Sequence, residues 1–306
     1  MEVFILGTGG MMPLPGRQLT SVLLRREGEL LLFDCGEGTQ ISLRRLNLRW
    51  KKISVIFISH THADHVTGIP GILMLSSQVE RDDPLTIIGP PRIREYVEAS
   101  RRILDMYINY DIVVREHYGE EVLYEGDGYR VRSFPLAHSK PCLGFTLEEG
   151  ERPGVFLPER ALALGVPRGP LWSVLQSGTP VTLETGATVE PGEVMGPKRQ
   201  GRKFSYLTDT TYVAGAAQFV RGSDLLVCEG MFGEDLAGDA QDKKHLTARQ
   251  AAALAREAEV KKLGLIHYSP RYTDKELKNL LGEAREIFPQ SFLTRDLQCL
   301  ELPYPS

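Results

Sequence analysis

Residues 54–65 constrain this chain more than any other stretch, because a short apolar run leads directly into a cluster of histidines and an aspartate. The β-branched and aromatic residues that open the stretch predict a buried strand. His60, His62, Asp64 and His65 follow it. On extended backbone His60 and His62 point the same way, and the chain must then turn, so nitrogen and oxygen donors converge on one small space. Such convergence predicts a divalent metal site rather than a polar loop that caps a strand.

Further donors follow later strand patterns, and together they exceed what one tetrahedral ion can bind. His138, Asp209 and His267 each stand just beyond a run of strand-forming residues. A carboxylate at the position of Asp209 can bridge two cations, with one oxygen on each. The excess of donors therefore predicts two metal ions side by side. Imidazole-rich sites suit zinc, with manganese and iron as alternatives.

Three other residues are predicted to serve this site without belonging to its first set of donors. Asp34 ends a strand, and we interpret it as a partner that orients a ligand histidine, with direct metal binding and a helix N-cap as the alternatives. Glu229 ends another strand near the same rim and is assigned a similar supporting role. His245 lies on a loop before a helix that is announced by a capping box of Thr247 and Gln250, which leaves it free to move.

The segment 148–203 interrupts a chain in which strand and helix patterns otherwise alternate, as in α/β proteins. It contains nine of the 30 glycines and seven of the 19 prolines and shows little periodicity. A segment this long predicts either a functional protrusion or a disordered insert. Its basic end at 198–203 is open to two interpretations, contact with a polyanion and simple solvation. A last strand is predicted over 292–302.

Bulk properties limit the classes of function. A net charge of -4 gives no overall basic surface for nucleic acid, although a local basic patch fits within that total. The four cysteines are scattered and form no Cys-x-x-Cys pair, which argues against a disulfide framework and against a thiolate zinc site. No apolar run approaches the roughly 20 residues that a membrane helix needs, and no leader pattern opens the chain. We therefore expect a cytoplasmic protein without a membrane partner.

The His-x-His-x-Asp-His motif at 60–65, combined with strand-end ligands, resembles the metallo-β-lactamase superfamily. That resemblance implies an αβ/βα four-layer sandwich in one domain, 1–306, with an inserted flexible arm. It also implies that one metal is held by His60, His62 and His138, the other by Asp64, His65 and His267, with Asp209 between them. Within the superfamily, five segments are similar to the ribonuclease Z family of tRNA 3′-processing endonucleases: residues 4–9, 33–40, 208–210, 245–247 and 267–272.

The resemblance to the ribonuclease Z family supplies further expectations. The insert at 148–203 corresponds to the family's arm, which clamps the elbow of tRNA, with the family's Gly-Pro at Gly169 and Pro170. Arg17 matches an arginine that senses the tRNA 3′ end. Cys228 stands where the family often has a histidine. The family also implies a homodimer.

The implied reaction is hydrolysis by water of precursor tRNA, which leaves a 3′-hydroxyl on the tRNA and a 5′-phosphate on the trailer. Asp64 is assigned to accept a proton, and His245 to donate one to the leaving ribose oxygen. Two alternatives stay open at this stage. One is another hydrolase of the same fold that acts on small phosphodiesters or esters, and the other is a non-catalytic RNA-binding partner.

Overall fold

The protein is described by a computed structural model that covers residues 1–79 and 81–305. The chain forms two compact units. The first, called the body, contains Met1–Glu148 and Lys203–Pro303, and the second, called the arm, contains Glu149–Arg202 with the last residues from Tyr304 onward. Among the described residues, no helix is both long enough and apolar enough to cross a bilayer.

The first sheet of the body has seven strands. These are β1 Glu2–Gly7, β2 Ser21–Arg26, β3 Glu29–Phe33, β4 Ile53–Phe57, β5 Leu85–Gly89, β6 Ile112–Glu116 and β16 Cys299–Glu301. Their order is β16-β1-β2-β3-β4-β5-β6. Pairing is antiparallel from β16 to β3 and parallel from β3 to β6. The sheet is therefore mixed, and the strand predicted before the histidines is its β4.

The second sheet of the body also has seven strands. These are β7 Glu121–Gly126, β8 Tyr129–Ala137, β9 Pro141–Glu149, β12 Lys203–Leu207, β13 Leu225–Glu229, β14 Leu263–Ile266 and β15 Ser291–Leu293. Their order is β15-β14-β13-β12-β9-β8-β7, with parallel pairing from β12 to β15. Strands β13 and β14 are buried along their whole length and β12 is buried after its first residue, Lys203, as parallel strands covered on both faces require.

Helices cover the outer faces of both sheets. They are α1 Thr39–Arg45, α2 Ala63–Val66, α3 Ile69–Gln78, α4 Ile93–Ile103, α8 Ala216–Val220, α9 Ala237–Lys243, α10 Ala248–Glu257 and α11 Leu277–Ile287, with 3-10 turns at Trp50–Lys52 and Glu234–Leu236. One core cluster joins α1, α3 and α4 to the first sheet, and another joins α8, α10 and α11 to the second. The capping box of Thr247 and Gln250 forms at the start of α10 as predicted.

The two sheets face each other across an aromatic core. The ring of Phe33 in β3 lies 5.1 Å from that of Phe57 in β4, and 5.9 Å from that of Phe145 in β9. Phe204 and Tyr206 of β12 complete the cluster. Each of these aromatic side chains contributes roughly 1.5–3 kcal/mol through burial. Helices, two sheets and helices make four layers, so the predicted α/β sandwich is confirmed.

The arm folds around a small core of its own. Its elements are α5 Pro158–Ala163, α6 Pro170–Gln176, β10 Val181–Thr182, β11 Thr188–Val189 and α7 Pro191–Val194. Each arm helix begins with a proline, whose missing N–H is not needed at that position. Three of the segment's prolines therefore open helices. The buried core side chains are Ala161, Val166, Leu175, Val181, Val189 and Val194.

The prediction of a single last strand over 292–302 is wrong. The chain forms β15 in the second sheet and then β16 in the first, so the segment passes from one sheet to the other. Between these strands Leu297 adopts a left-handed conformation with φ 66°. The carboxylate of Asp296 accepts hydrogen bonds from the Thr8 hydroxyl at 2.7 Å and the Gln18 N–H at 2.6 Å. A pattern of apolar residues could not reveal this turn, because distant residues hold it.

Candidate metal centre

Each predicted ligand follows the carboxyl end of a strand closely. His60 and His62 follow β4, and α2 then carries Asp64 and His65 in its first turns. The other three ligands are His138 directly after β8, Asp209 after β12 and His267 directly after β14. The structure brings these strand ends together into a single cluster. His267 reaches its position with a left-handed backbone, φ 64°, and lies so close to Gly10 that any Cβ there would be 2.7 Å from the imidazole.

The first donor group contains His60, His62, His138 and Asp209. His60 Nε2 lies 3.0 Å from His62 Nδ1, which is 3.2 Å from His138 Nε2. Asp209 Oδ2 faces these nitrogens, at 3.5 Å from His60 and 3.6 Å from His138. All donor atoms of the group lie within 4.8 Å of one another, so one cation could contact them all.

The second donor group contains Asp64, His65 and His267. His267 Nε2 lies 3.2 Å from both His65 Nε2 and Asp64 Oδ2. The other oxygen of Asp209, Oδ1, lies 3.4 Å from His65 and 3.2 Å from His267. Asp209 therefore presents one carboxylate oxygen to each group, which is the arrangement expected of a bridging ligand.

In two of the histidines, the hydrogen bond of the outer ring nitrogen determines which nitrogen faces the cluster. His138 Nδ1 lies 3.0 Å from the main-chain oxygen of Lys244, which can only accept, so this nitrogen donates its proton outward. His65 Nδ1 likewise donates to Asp34 Oδ2 at 2.8 Å. The inward Nε2 atoms are then the ones left to bind a cation, and such orientation by outer partners is common at metal sites.

Electrostatics also favour a divalent metal. Burial lowers the pKa of His60 and His138, and burial together with His138 lowers the pKa of His62 to about 4, so these imidazoles are neutral donors. Burial opposes ionisation of Asp64 and Asp209, but the facing imidazoles outweigh it and hold the pKa of each carboxyl below its usual range. Neutral imidazoles and ionised carboxylates are the ligands that divalent cations take in proteins.

The negative charges around His65 also favour a cation in the site. Burial lowers the pKa of this imidazole, yet Asp209, Asp64 and Asp34 together raise it well above its usual value. The surroundings therefore stabilise positive charge at a fully buried position. The donor set suits a divalent metal ion.

Asp34 is a buried anchor for the cluster and not a helix cap. Its carboxylate accepts hydrogen bonds from the Ser59 N–H at 2.7 Å, the Ser59 hydroxyl at 2.8 Å and the Tyr206 hydroxyl at 2.8 Å, besides His65. The N-cap of α1 is Gly38, so the N-cap alternative for Asp34 is wrong. The structure places Asp34 where the orienting role needs it, and that role stays a prediction.

His245 and Glu229 form a buried pair beside the donors. His245 Nδ1 lies 3.0 Å from Glu229 Oε2, and the imidazole stacks 5.5 Å from that of His267. Burial lowers the pKa of His245, but the charge and hydrogen bond of Glu229 raise it to about 9. Cys228 lies in the core beneath the helices of the second sheet, because successive strand residues face opposite sides. The unusual cysteine therefore leaves the pair intact.

A cavity of about 520 Å³ opens above both donor groups. It is lined by Met11, His62, Ala63, Asp64, His138, Ser139, Asp209, Met231, Asp242, Lys243, Lys244, His245 and His267. Asp64 and His245 both line this cavity. The predicted proton acceptor and proton donor thus share one opening.

The three predicted substrate-binding residues lie elsewhere and stay predictions. The Arg17 guanidinium is bonded to Asp274 Oδ1 at 2.7 Å and to the Tyr272 main-chain oxygen at 3.2 Å, and only 8% of the residue is exposed. Gly169 is the N-cap of α6, with φ 147° and open space where a Cβ would be, and Pro170 is the first residue of that helix. Both belong to the arm.

Sequence reasoning missed several contacts that hold the site. Tyr206 could have been suspected, because a hydroxyl at an inward strand position needs a buried partner. The Met11 N–H, which donates to Asp64 Oδ2 at 2.7 Å, gives no signal in the sequence. The same is true of the Lys244 main-chain oxygen, because main-chain groups are present at every residue. The hydroxyl of Ser139 lies 3.4 Å from His62 Nε2. Because Ser139 directly follows the predicted ligand His138, it could have been predicted as a residue of the site.

Comparison with known proteins gives the same picture. Two family models match parts of the chain, one described as a beta-lactamase superfamily domain at residues 175–268 and one as the anti-Pycsar protein Apyc1 at residues 1–101. Among solved structures, human tRNase Z, short form, superimposes with a TM-score of 0.72 at 26% identity, covering 99% of this chain and 100% of that one. The metallo-β-lactamase fold protein YhfI of Bacillus subtilis gives 0.69 at 18% identity, over 98% of each chain.

Two facing sheets with histidine and aspartate donors at their strand ends define a metal-dependent hydrolase of the metallo-β-lactamase fold. Full-length relatives narrow the class. The ribonuclease Z of Treponema denticola is 63% identical over 99% of both chains, and that of Methanosarcina acetivorans is 43% identical over 99% of both. The chain belongs to the ribonuclease Z family.

Proposed function

We propose that this protein is an endoribonuclease that removes the 3′ trailer from precursor tRNA. The proposal is supported by full-length similarity to ribonuclease Z and by one geometric observation. That observation is the bridging position of Asp209, with one oxygen toward each donor group and the pair of His245 and Glu229 beside it. A site with two donor groups is suited to phosphodiester hydrolysis.

We propose two zinc ions as the resident metals, with manganese or iron as alternatives. His60, His62, His138 and Asp209 would hold one ion. Asp64, His65 and His267 would hold the other, together with Asp209. When bound, such ions acidify water and offset the negative charge that builds on the phosphoryl oxygens during hydrolysis.

The side chains of this protein carry the proton transfers. Asp64 accepts the proton of the attacking water, and the Met11 N–H holds its Oδ2 in place at 2.7 Å. His245 donates a proton to the leaving ribose oxygen from Nε2, because Glu229 holds Nδ1. Water attacks in place of an RNA hydroxyl, so the tRNA keeps a 3′-hydroxyl and the trailer keeps the 5′-phosphate.

The arm and Arg17 are assigned to recognition of precursor tRNA. Gly169 and Pro170 are the arm residues proposed to touch the tRNA elbow, and Gly169 has open space around it. Arg17 is proposed to sense the tRNA 3′ end. We further propose that the protein is a homodimer and works in the cytoplasm. Sedimentation of the purified protein at several concentrations tests the dimer, and a mass of one chain throughout would contradict it.

The decisive experiment incubates the zinc-loaded protein with a precursor tRNA that carries a 3′ trailer and maps both new ends. We expect one cut at the 3′ side of the tRNA, with a 3′-hydroxyl on the tRNA and a 5′-phosphate on the trailer. An intact precursor with every divalent metal, together with hydrolysis of a small phosphodiester, would instead support the alternative of a small-molecule hydrolase. An intact precursor without any hydrolysis would support the non-catalytic RNA-binding partner.

A further inference from the structure

Two exposed lysines are attached to the loops that carry the first donor group. The ammonium of Lys140 donates a hydrogen bond to the main-chain oxygen of Thr61 at 2.9 Å, and Thr61 lies between His60 and His62. The ammonium of Lys244 donates to the main-chain oxygen of His138 at 3.4 Å. Both positive charges are therefore placed at the edge of the donor group formed by His60, His62 and His138.

Among the described residues, neither lysine has a carboxylate partner. Across residues 1–79 and 81–305, no carboxylate lies within ion-pair distance of the Lys140 or the Lys244 ammonium. A hydrogen bond to a main-chain oxygen occupies one of the three N–H groups of the ammonium and leaves its full charge, with two donors, for another partner. The neighbouring Lys243 differs, because its ammonium lies 3.3 Å from Asp239 Oδ1.

The side chain of Lys244 is not needed to hold the site together. Its main-chain oxygen, in a left-handed residue with φ 58°, already fixes the outer nitrogen of His138. The ammonium adds only a long bond to an exposed carbonyl. The main chain of Lys244 therefore supports His138, and the ammonium of its side chain is available to a ligand at the mouth of the cavity.

Met11 borders the second donor group. Its N–H donates to Asp64 Oδ2, and 60% of its surface is exposed, while the next residue, Met12, exposes 54%. Lys244 lines the same cavity, and its ammonium, like that of Lys140, is bonded to a loop of the first donor group. The charges beside the first donor group suit phosphates, and the apolar side chain beside the second suits the apolar faces of bases, as a nucleotide strand requires.

We propose that Lys140 and Lys244 bind the RNA phosphates next to the scissile one and thereby set the direction in which the strand crosses the two donor groups. The proposal rests on the proposed cleavage of RNA. Phosphate contacts fix register and orientation without reading sequence, so the pair would act alike on all precursor tRNAs. Each contact releases counterions, so each makes cleavage more sensitive to salt.

The test compares Lys140→Met and Lys244→Met with the control Lys261→Met, which removes an exposed lysine that does not line the cavity and is paired with Asp224 at 2.6 Å. For each, kcat/KM on one precursor tRNA is measured over a range of salt concentrations. We expect a loss of roughly three- to tenfold at low salt for Lys140→Met and for Lys244→Met. The slope of log kcat/KM against log salt should flatten by about 0.7–0.9 for each, as one lost phosphate contact predicts. Lys261→Met should change kcat/KM by less than about twofold and leave the slope intact, because Asp224 already offsets its charge.

Two further measurements separate binding from disruption. Lys140→Arg and Lys244→Arg keep the charge and should restore the salt slope of the parent protein. Hydrolysis of bis(p-nitrophenyl) phosphate, which offers a single phosphate, should fall less than cleavage of tRNA in the methionine variants. An unchanged salt slope in both methionine variants would overturn the proposal, as would an equal loss on both substrates. These outcomes differ from failure of the proposed function, in which the parent protein itself leaves precursor tRNA uncut.

Discussion

The body and the arm differ in the size of the hydrophobic core that stabilises each of them. In the body, the donor groups stand at the ends of strands whose inner faces pack in a continuous aromatic core, and buried partners such as Asp34 are hydrogen-bonded to the imidazoles. Among its described residues, the arm has six buried core side chains, the largest of them Leu175. They lie between short helices and a hairpin whose two strands have two residues each. Chemistry needs donors held to within a fraction of an ångström, whereas recognition of a large folded RNA tolerates a less stable element. The difference fits the proposed division of roles, in which the body carries the reaction and the arm recognises the tRNA.

The largest effect should come from Asp209, which presents one carboxylate oxygen to each donor group. Asp209→Ala removes both oxygens, so we expect metal content to fall at both groups and turnover to drop by more than about 10³-fold on every substrate. Elemental analysis and assays on tRNA and on a small phosphodiester measure this. Asp239→Asn, outside both groups, is the control. Loss on tRNA alone would break the assignment of chemistry to the body.

His245→Ala tests the proton donor without removing a donor of either main group. We expect kcat to fall about 10²-fold or more, because the leaving oxygen loses its proton source, while metal content stays at the parent level. His117→Ala is the matched control, since His117 is bonded to Glu121 at 3.0 Å, outside the cluster. Normal turnover by the His245 variant would exclude this residue from the reaction.

Removal of the arm tests substrate choice. Replacing residues 150–201 by a short glycine-rich linker keeps the pairing of Glu148 with Lys203 at the end of β9 and β12. We expect kcat/KM on precursor tRNA to fall about 10²-fold, roughly 2.8 kcal/mol, with small-phosphodiester hydrolysis within about twofold of the parent. Leu175→Ala, which weakens only the arm core, should give a smaller loss with the same selectivity. Equal losses on both substrates would show that the arm also supports the chemistry.

The smallest effect should come from a partner that touches no substrate. Asp34→Asn keeps the shape but weakens the hydrogen bond to His65 Nδ1, so we expect metal affinity to fall about tenfold. Competition with a chelator measures affinity, and excess metal should restore most of the turnover. If Asp34→Asn binds metal as tightly as the parent protein, the buried partners are not what distinguishes the body from the arm.

The sequence allowed prediction of the parts of the site that lie close together along the chain or repeat a local pattern. His60 to His65 stand within six residues, and each later donor follows a strand, so their convergence could be inferred from the rule that strand ends meet at one edge. The partners of the Tyr206 hydroxyl and of the Met11 N–H could not be predicted in the same way, because these groups meet their partners only when the chain folds. The same limit explains the failure at 292–302, where Asp296 is held by residues near the start of the chain.

The arm shows the opposite limit. Its glycines and prolines identified it as an insert, but its core depends on side chains such as Leu175 and Val189 that follow no regular period. Prolines that look like helix breakers instead open α5, α6 and α7. Composition therefore located this segment without giving its fold.

The contact between Gly10 and His267 spans most of the polymer, and the Gly10 N–H also donates to the Tyr268 main-chain oxygen at 3.0 Å. During translation, His60 leaves the ribosome long before His267 does. The second donor group therefore stays incomplete while the chain is being made. A nascent or prematurely terminated chain that lacks His267 has an incomplete metal site. The protein can become active toward nucleic acid only late in its own synthesis.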